Sequence, residues 1–160
     1  MILGIDPGRG KTGWAITDEM GGLLLSGIFP TIEGERFFQG IEQLSPEMIA
    51  PYVLEGNGAE IRGLRLSECV VGNGTGKKLL FSLAQTLPFR VKLVSEKGTT
   101  LQSRDLYWRI HPPKGLQRIF PAALRVPPRD LDDLAAWAIV LRHLELLKKK
   151  REEGEKVNGD

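Results

Sequence analysis

The chain opens on three short, mostly apolar runs, Ile2 to Ile5, Thr12 to Thr17 and Leu23 to Phe29. Pro7-Gly8 and Gly21-Gly22 lie at the joins, so the runs predict an antiparallel meander of strands. Pro30 ends it, and a polar, acidic stretch follows. Ser45 and Pro46 then predict a helix from Pro46 to about Glu55, with Ser45 as cap and Pro46 at the first position. Pro51 argues against that helix from within, and the Gly56, Gly58 and Gly63 cluster closes it.

The second half changes its period. Cys69-Val-Val-Gly72 is continuously apolar, the pattern of a strand covered on both faces. From Lys77 to Thr86, Leu79, Leu80, Leu83, Ala84 and Leu87 fall on one helical face, and Pro88 stops the run. Arg90 to Ser95 reads as a strand, and Thr99 opens a helix reaching about Trp108. His111 to Pro128 holds five prolines and little periodicity. Asp130 to about Lys150 has the clearest helical stripe, with Leu134, Ala135, Ala138, Leu141 and Leu144, and Lys148 to Arg151 at its positive-preferring end. The predicted order is β-β-β-α-β-α-β-α. It makes an α/β domain over residues 1–150, a five-stranded mixed sheet with helices on both faces, followed by a flexible tail over 151–160.

Composition narrows the class. With 41% hydrophobic and 26% charged residues in 160, the chain is an ordinary globular domain. No apolar run approaches the ~20 residues that span a bilayer, and the amino terminus has no signal-peptide pattern. No membrane association is expected. A single cysteine, Cys69, excludes an internal disulfide and suits the cytoplasm. In its apolar run it reads as a buried core residue.

Charge is unevenly spread about a net +2. From Thr31 to Glu60 six glutamates face one base, Arg36. From Arg104 to Arg129 the bases Arg104, Arg109, Lys114, Arg118, Arg125 and Arg129 face one acid, Asp105. Such a run suits a phosphate backbone, although a solvated surface has the same composition.

Candidate chemistry lies in the acids. Asp6 ends the first strand, Glu96 ends the last, and Asp130, Asp132 and Asp133 begin the final helix. In an open α/β sheet these positions converge at the carboxyl ends of the strands. Converging carboxylates repel unless a cation neutralises them, and an all-oxygen set suits Mg²⁺ or Mn²⁺. The plainer alternatives are an Asx-type turn at Asp6, an exposed strand-end acid at Glu96, and helix capping at Asp130.

Ile5-Asp6-Pro-Gly8 with Gly13-Trp-Ala-Ile-Thr-Asp18, then Val70-Val-Gly72, Ser95-Glu96-Lys-Gly-Thr-Thr100 and Asp133-Leu-Ala-Ala136, resemble in order the motifs of the RNase H-like superfamily. Within it they are most similar to the YqgF family, related to RuvC resolvases. The resemblance runs from Ile2 to Glu145. It implies a cytoplasmic metal-dependent nuclease, with maturation of the small-subunit ribosomal RNA precursor as leading role and four-way DNA junction cleavage as alternative. It implies RNA rather than DNA as nucleic-acid partner, and Mg²⁺ or Mn²⁺ as cofactor. The metal-binding and catalytic carboxylates then fall on Asp6, Glu96 and Asp133. Lys97, Thr99, Arg104, Arg109 and Lys114 would contact the substrate, and Tyr107 and Trp108 would either stack on bases or join the core. Asn73 stands where resolvases place a glutamate, and whether Asp130 or Asp132 shares the metal role stays open.

Two other classes compete. Gly72-Asn-Gly-Thr-Gly-Lys77 looks like a phosphate loop, yet it misses the Walker spacing and Lys78 replaces the Ser or Thr. A noncatalytic RNase H-like module that binds nucleic acid or a protein partner fits the same fold. His111 and His143 form no metal pair, and His143 is expected at the surface of its helix.

Overall fold

The computed structural model describes residues 1–95, 98–121 and 124–157. Strands β1 (Ile2–Asp6), β2 (Lys11–Thr17) and β3 (Leu23–Pro30) form the meander. Helix α1 (Gly34–Glu42), the short α2 (Pro46–Ile49) and strand β4 (Val53–Glu55) follow. Then come β5 (Glu68–Gly72), α3 (Lys77–Ala84), β6 (Arg90–Val94), α4 (Thr99–Ile110) and α5 (Asp132–Val157). The six strands lie in the order β4-β3-β2-β1-β5-β6. β1 is antiparallel to β2 and parallel to β5, and β5 is parallel to β6. This is a mixed α/β sheet, as the order of elements along the chain predicts.

Several expectations need correction. The sheet has six strands rather than five, because the helix expected over 46–55 ends early. Ser45 does cap it, accepting from the Met48 amide, with Pro46 in its first turn. Pro51 then sits in a 3₁₀ turn (Ala50–Tyr52), and Val53–Glu55 pairs with β3. The acidic stretch after Pro30 also holds a helix. Gly34, Phe37, Phe38 and Ile41 recur at i, i+3, i+4 and i+7 in α1, and all four are buried. In addition, α5 continues through Val157, past the expected end near Lys150.

The sheet carries an apolar layer on each face. Leu3, Ile5, Trp14, Ile16, Leu25 and Phe29 point one way, into Phe37, Phe38 and Ile41 of α1, Ile49 of α2, and Leu80 and Ala84 of α3. Phe29 stacks on Phe37 with ring centroids 4.1 Å apart. Burying each such side chain contributes ~1.5–3 kcal/mol, so this layer is the larger anchor. On the other face, Ala15 meets Leu106 and Tyr107 of α4 and Leu134, Ala136 and Trp137 of α5. Ile2, Val70 and Val94 pack there on Ile139 and Val140.

Helix α5 lies very close to β1 and β2, and two glycines make that possible. A Cβ on Gly4 would fall 2.5 Å from the Ala136 carbonyl oxygen, and one on Gly13 only 1.9 Å from that of Asp132. Gly13 is the cross-strand partner of Asp6. The first turn of α5 is therefore seated over the carboxyl end of β1.

Candidate active site

Directly opposed residues of an antiparallel pair share a face. Asp6 thus projects on the face that carries Gly13, toward the first turn of α5, and it is half-buried. Along α5, Asp132, Ala136 and Val140 form the stripe over β1, since Gly13 meets Asp132 and Gly4 meets Ala136 and Val140. Asp132 prolongs that stripe past the end of the core, over the strand pair Asp6–Gly13. Lys11, first residue of β2, reaches across the same opening. Its ammonium lies 2.5 Å from Asp130 Oδ2 and 3.1 Å from Asp132 Oδ2. The hydrogen bond to Asp130 leads in raising the Lys11 pKa, and Asp132 adds to it.

Asp133, one residue on, goes elsewhere. Its stripe, with Trp137 and Leu141, faces β3 and the turn at Gly21, where the Trp137 indole donates to the Gly21 carbonyl at 2.8 Å. The Asp133 carboxylate is fully buried. Ser26 Oγ donates to its Oδ2 at 2.7 Å, and Arg129 grips both oxygens at 2.7 and 3.2 Å. Arg129 also donates to Glu55 Oε1 at 2.6 Å, and its guanidinium lies 5.6 Å from the centre of the Tyr107 ring. His111 Nε2 meets the same Glu55 oxygen at 2.7 Å. Burial works against ionising Glu55, but the hydrogen bonds from His111 and Arg129 outweigh it and hold the carboxyl below its ordinary range. Burial likewise opposes the charge on Arg129, and the bonds to Asp133 and Glu55 raise its pKa in spite of it.

The predicted site residues therefore separate. Asp6 lies on the face that carries the first turn of α5, Lys11 ties Asp130 and Asp132 together, and Asp133 lies within a buried ion network. Glu96 and Lys97 lie outside the described residues. Thr99 is buried at the start of α4, after Gly98 in a left-handed conformation. Arg104 turns inward and donates to the Arg125 carbonyl at 3.2 Å. Arg109 and Lys114 are exposed. Tyr107 is buried and meets Trp108 edge-to-face at 4.9 Å, so the pair joins the core.

On the far side of Asp6, the loop after β5 closes on the turn after β1. A Cβ on Gly76 would fall 2.7 Å from the Gly8 carbonyl oxygen. Thr31 Oγ1 donates to that same carbonyl and bonds Thr12 Oγ1. Lys77 Nζ donates to Asn73 Oδ1 at 2.5 Å. Cys69 is fully buried in β5, where burial pushes its thiol far up.

The oxygen donors of Asp6 and Asp132 are the chemistry that Mg²⁺ or Mn²⁺ prefers. Among the described residues, however, no three metal-ligating side chains gather. The described set alone does not make a resident divalent site, and a third carboxylate would have to come from elsewhere. One histidine also departs from expectation. His143 is buried rather than at the surface, with Nε2 3.0 Å from Glu68 Oε2, and Lys92 takes the other oxygen of Glu68 at 2.5 Å.

Lys11 was the residue that reading along the chain did not single out, and Asp132 was named there only as an open alternative to Asp133. Lys11 had no signal beyond its place after two glycines. Asp132 had one: it is four residues before Ala136, on the small-residue stripe that a glycine-bearing strand accepts.

No protein-family model matches the chain, and no curated protein matches it. Among solved structures it is similar to the Thermus thermophilus RuvC structure. The two share 15% identity at a TM-score of 0.40, over 93% of this chain and 96% of that one. No helix among the described residues is long and apolar enough to cross a membrane.

Proposed function

We propose that the chain is a nuclease that hydrolyses phosphodiester bonds at the opening between Asp6 and the first turn of α5. The observation that carries this reading is the seating of Asp132 on Gly13, which puts two acids from separate elements on one face at the carboxyl end of β1. The strand order and the motif resemblance support it. Asp132 takes the role that the motif alone would give to Asp133. A divalent cation, Mg²⁺ or Mn²⁺, would need Glu96 to complete an oxygen set with Asp6 and Asp132. The exposed Arg109 and Lys114 would steer the flanking backbone. Within this class, RNA is the preferred substrate, and processing of the small-subunit ribosomal RNA precursor the preferred role, on the strength of the YqgF resemblance.

The second reading is a noncatalytic nucleic-acid-binding module. It is favoured by Lys11, which neutralises Asp130 and Asp132 without any metal, and by Asn73 in place of a fourth carboxylate.

The test compares wild type with Asp6→Asn, Asp132→Asn and Asp133→Asn in Mg²⁺ or Mn²⁺. Three labelled substrates serve: a ribosomal RNA precursor end, generic single-stranded RNA, and a four-way DNA junction. Cleavage that is lost in EDTA and falls about a hundredfold or more in Asp6→Asn and Asp132→Asn is the expected result. Binding without cleavage, unaffected by these substitutions, would leave the noncatalytic module.

A further inference from the structure

Between α4 and α5 the chain makes an excursion whose interior is built unusually. Arg125 Nε donates to the carbonyls of Gln117 and Phe120, each at 2.9 Å, and its Nη2 donates to that of Arg118 at 3.3 Å. Arg118 Nε donates to the Pro113 carbonyl, and Arg104 to that of Arg125. Guanidinium-to-carbonyl bonds thus hold this segment in shape, and its apolar side chains point outward. Leu116, Ile119 and Val126 are each 76% exposed, Leu124 67% and Phe120 56%. Beneath them the packing is unfinished. Hollows of about 250 and 160 Å³ flank Trp108, and its buried indole Nε1 has no acceptor among the described residues.

A solvated loop does not collect five large apolar side chains within 11 residues, and exposed patches of this kind mark interaction surfaces. The charge pattern says what kind of partner fits. From Leu106 to Arg129 the chain has no acid and carries Arg109, Lys114, Arg118, Arg125 and Arg129. Three of these cations, Arg118, Arg125 and Arg129, donate to protein acceptors, and Arg109 and Lys114 are exposed. The outward surface is thus mainly aliphatic with a basic margin. Bases stack on aromatic rings, and four of the five exposed side chains are aliphatic, so a nucleic acid would leave most of the patch unused. The prolines at 112, 113, 121, 127 and 128 remove amide donors, so the segment is a poor template for an added strand. What remains is a helix laid with its apolar face on the patch and its acids toward the basic margin.

We propose that the outward face formed by Leu116, Ile119, Phe120, Leu124 and Val126 is a docking surface for an acidic amphipathic helix of a partner protein. This proposal does not depend on the nuclease reading. The probe is a fluorescein-labelled peptide of about 18 residues, with leucines at i, i+3, i+4 and i+7 and glutamates on the opposite face. Its anisotropy is titrated with the full chain, against a scrambled peptide of the same composition. Binding in the micromolar range is expected, weakened about tenfold or more by the combined Leu116→Ser, Ile119→Ser and Leu124→Ser substitutions. Lys114→Glu should weaken it too, as should scrambling. All four positions are exposed, so thermal unfolding should be unchanged. Equal binding of the scrambled peptide, or indifference to both variants, overturns the proposal, and so does failure of the wild type to bind. Three controls identify other occupants. Self-association in sedimentation velocity that the triple variant abolishes would assign the face to a second copy. Single-stranded RNA, or phosphatidylserine vesicles, bound by wild type and lost in the triple variant would assign it to those ligands.

Discussion

Asp132 and Asp133 are adjacent in sequence and begin the same helix, yet they belong to different kinds of chemistry. Asp132 continues the stripe over β1, is seated on Gly13 and is partnered by an exposed lysine. Asp133 is turned toward β3, is fully buried and is held by Ser26 and by both arms of Arg129. Successive residues on a helix point about 100° apart, and here that rotation separates an open site from a sealed one. A carboxylate whose lone pairs are filled by a serine and a guanidinium holds the fold together. A carboxylate at the rim, facing a mobile ammonium, can exchange partners.

The sharpest way to break this comparison is to neutralise each acid in turn. Asp133→Asn leaves the half-buried Arg129 with Glu55 as its one carboxylate partner and is expected to destabilise the fold by about 3–5 kcal/mol in urea unfolding. Asp132→Asn should change stability by no more than about 1 kcal/mol while removing activity. Similar unfolding midpoints for the two variants would erase the distinction.

The next effect concerns the seat of the helix. Gly13→Ala places a methyl group against the Asp132 carbonyl and should cost about 1–3 kcal/mol. It should also lower activity more than an equally destabilising change in the opposite layer, such as Ile41→Val. Equal losses would mean that the Gly13 contact positions nothing.

Acid titration probes the sealed side. Glu55 has a depressed folded pKa, so its contribution is present above the ordinary value of 4.5 and is lost as pH falls through the folded value. Unfolding midpoints followed between about pH 7 and pH 3 should therefore drop at the acid end, and Glu55→Gln should flatten the drop. A parallel curve for the variant would exclude Glu55 as a source. Glu68 behaves alike: burial opposes its ionisation, but Lys92 and His143 hold its carboxyl low, so Glu68→Gln should flatten the same limb.

The smallest change is expected at the rim. Lys11→Ala removes the ammonium from Asp130 and Asp132, and exposed pairs of this kind contribute ~0–1 kcal/mol. Thermal unfolding should barely move. A large loss would show that Lys11 is structural and that the opening is not a poised site.

Much of this architecture was legible in the chain. The three opening strands, the buried run at Cys69, the helix after Asn73 and the long final helix all carry their period and their breakers in the residues themselves. Helix α1 was missed because its glutamates hid a plain 3.6-residue period in Phe37, Phe38 and Ile41. Strand β4 was missed because three residues have no period; only pairing with β3 makes them a strand. His143 was misplaced because its partner, Glu68, lies 75 residues away.

By itself, the sequence determined that the carboxyl end of the first strand would be acidic, that α5 would begin with acids, and that the Pro-rich segment would be basic. Those are matters of local composition and spacing. Only the tertiary structure decided which acid of α5 meets Lys11 and which is buried, that Arg129 is a half-buried tether, and that the Pro-rich segment turns its apolar side chains outward. These outcomes depend on the angle at which a helix settles on a sheet, set by the contacts of Gly4 and Gly13 with a helix more than a hundred residues away.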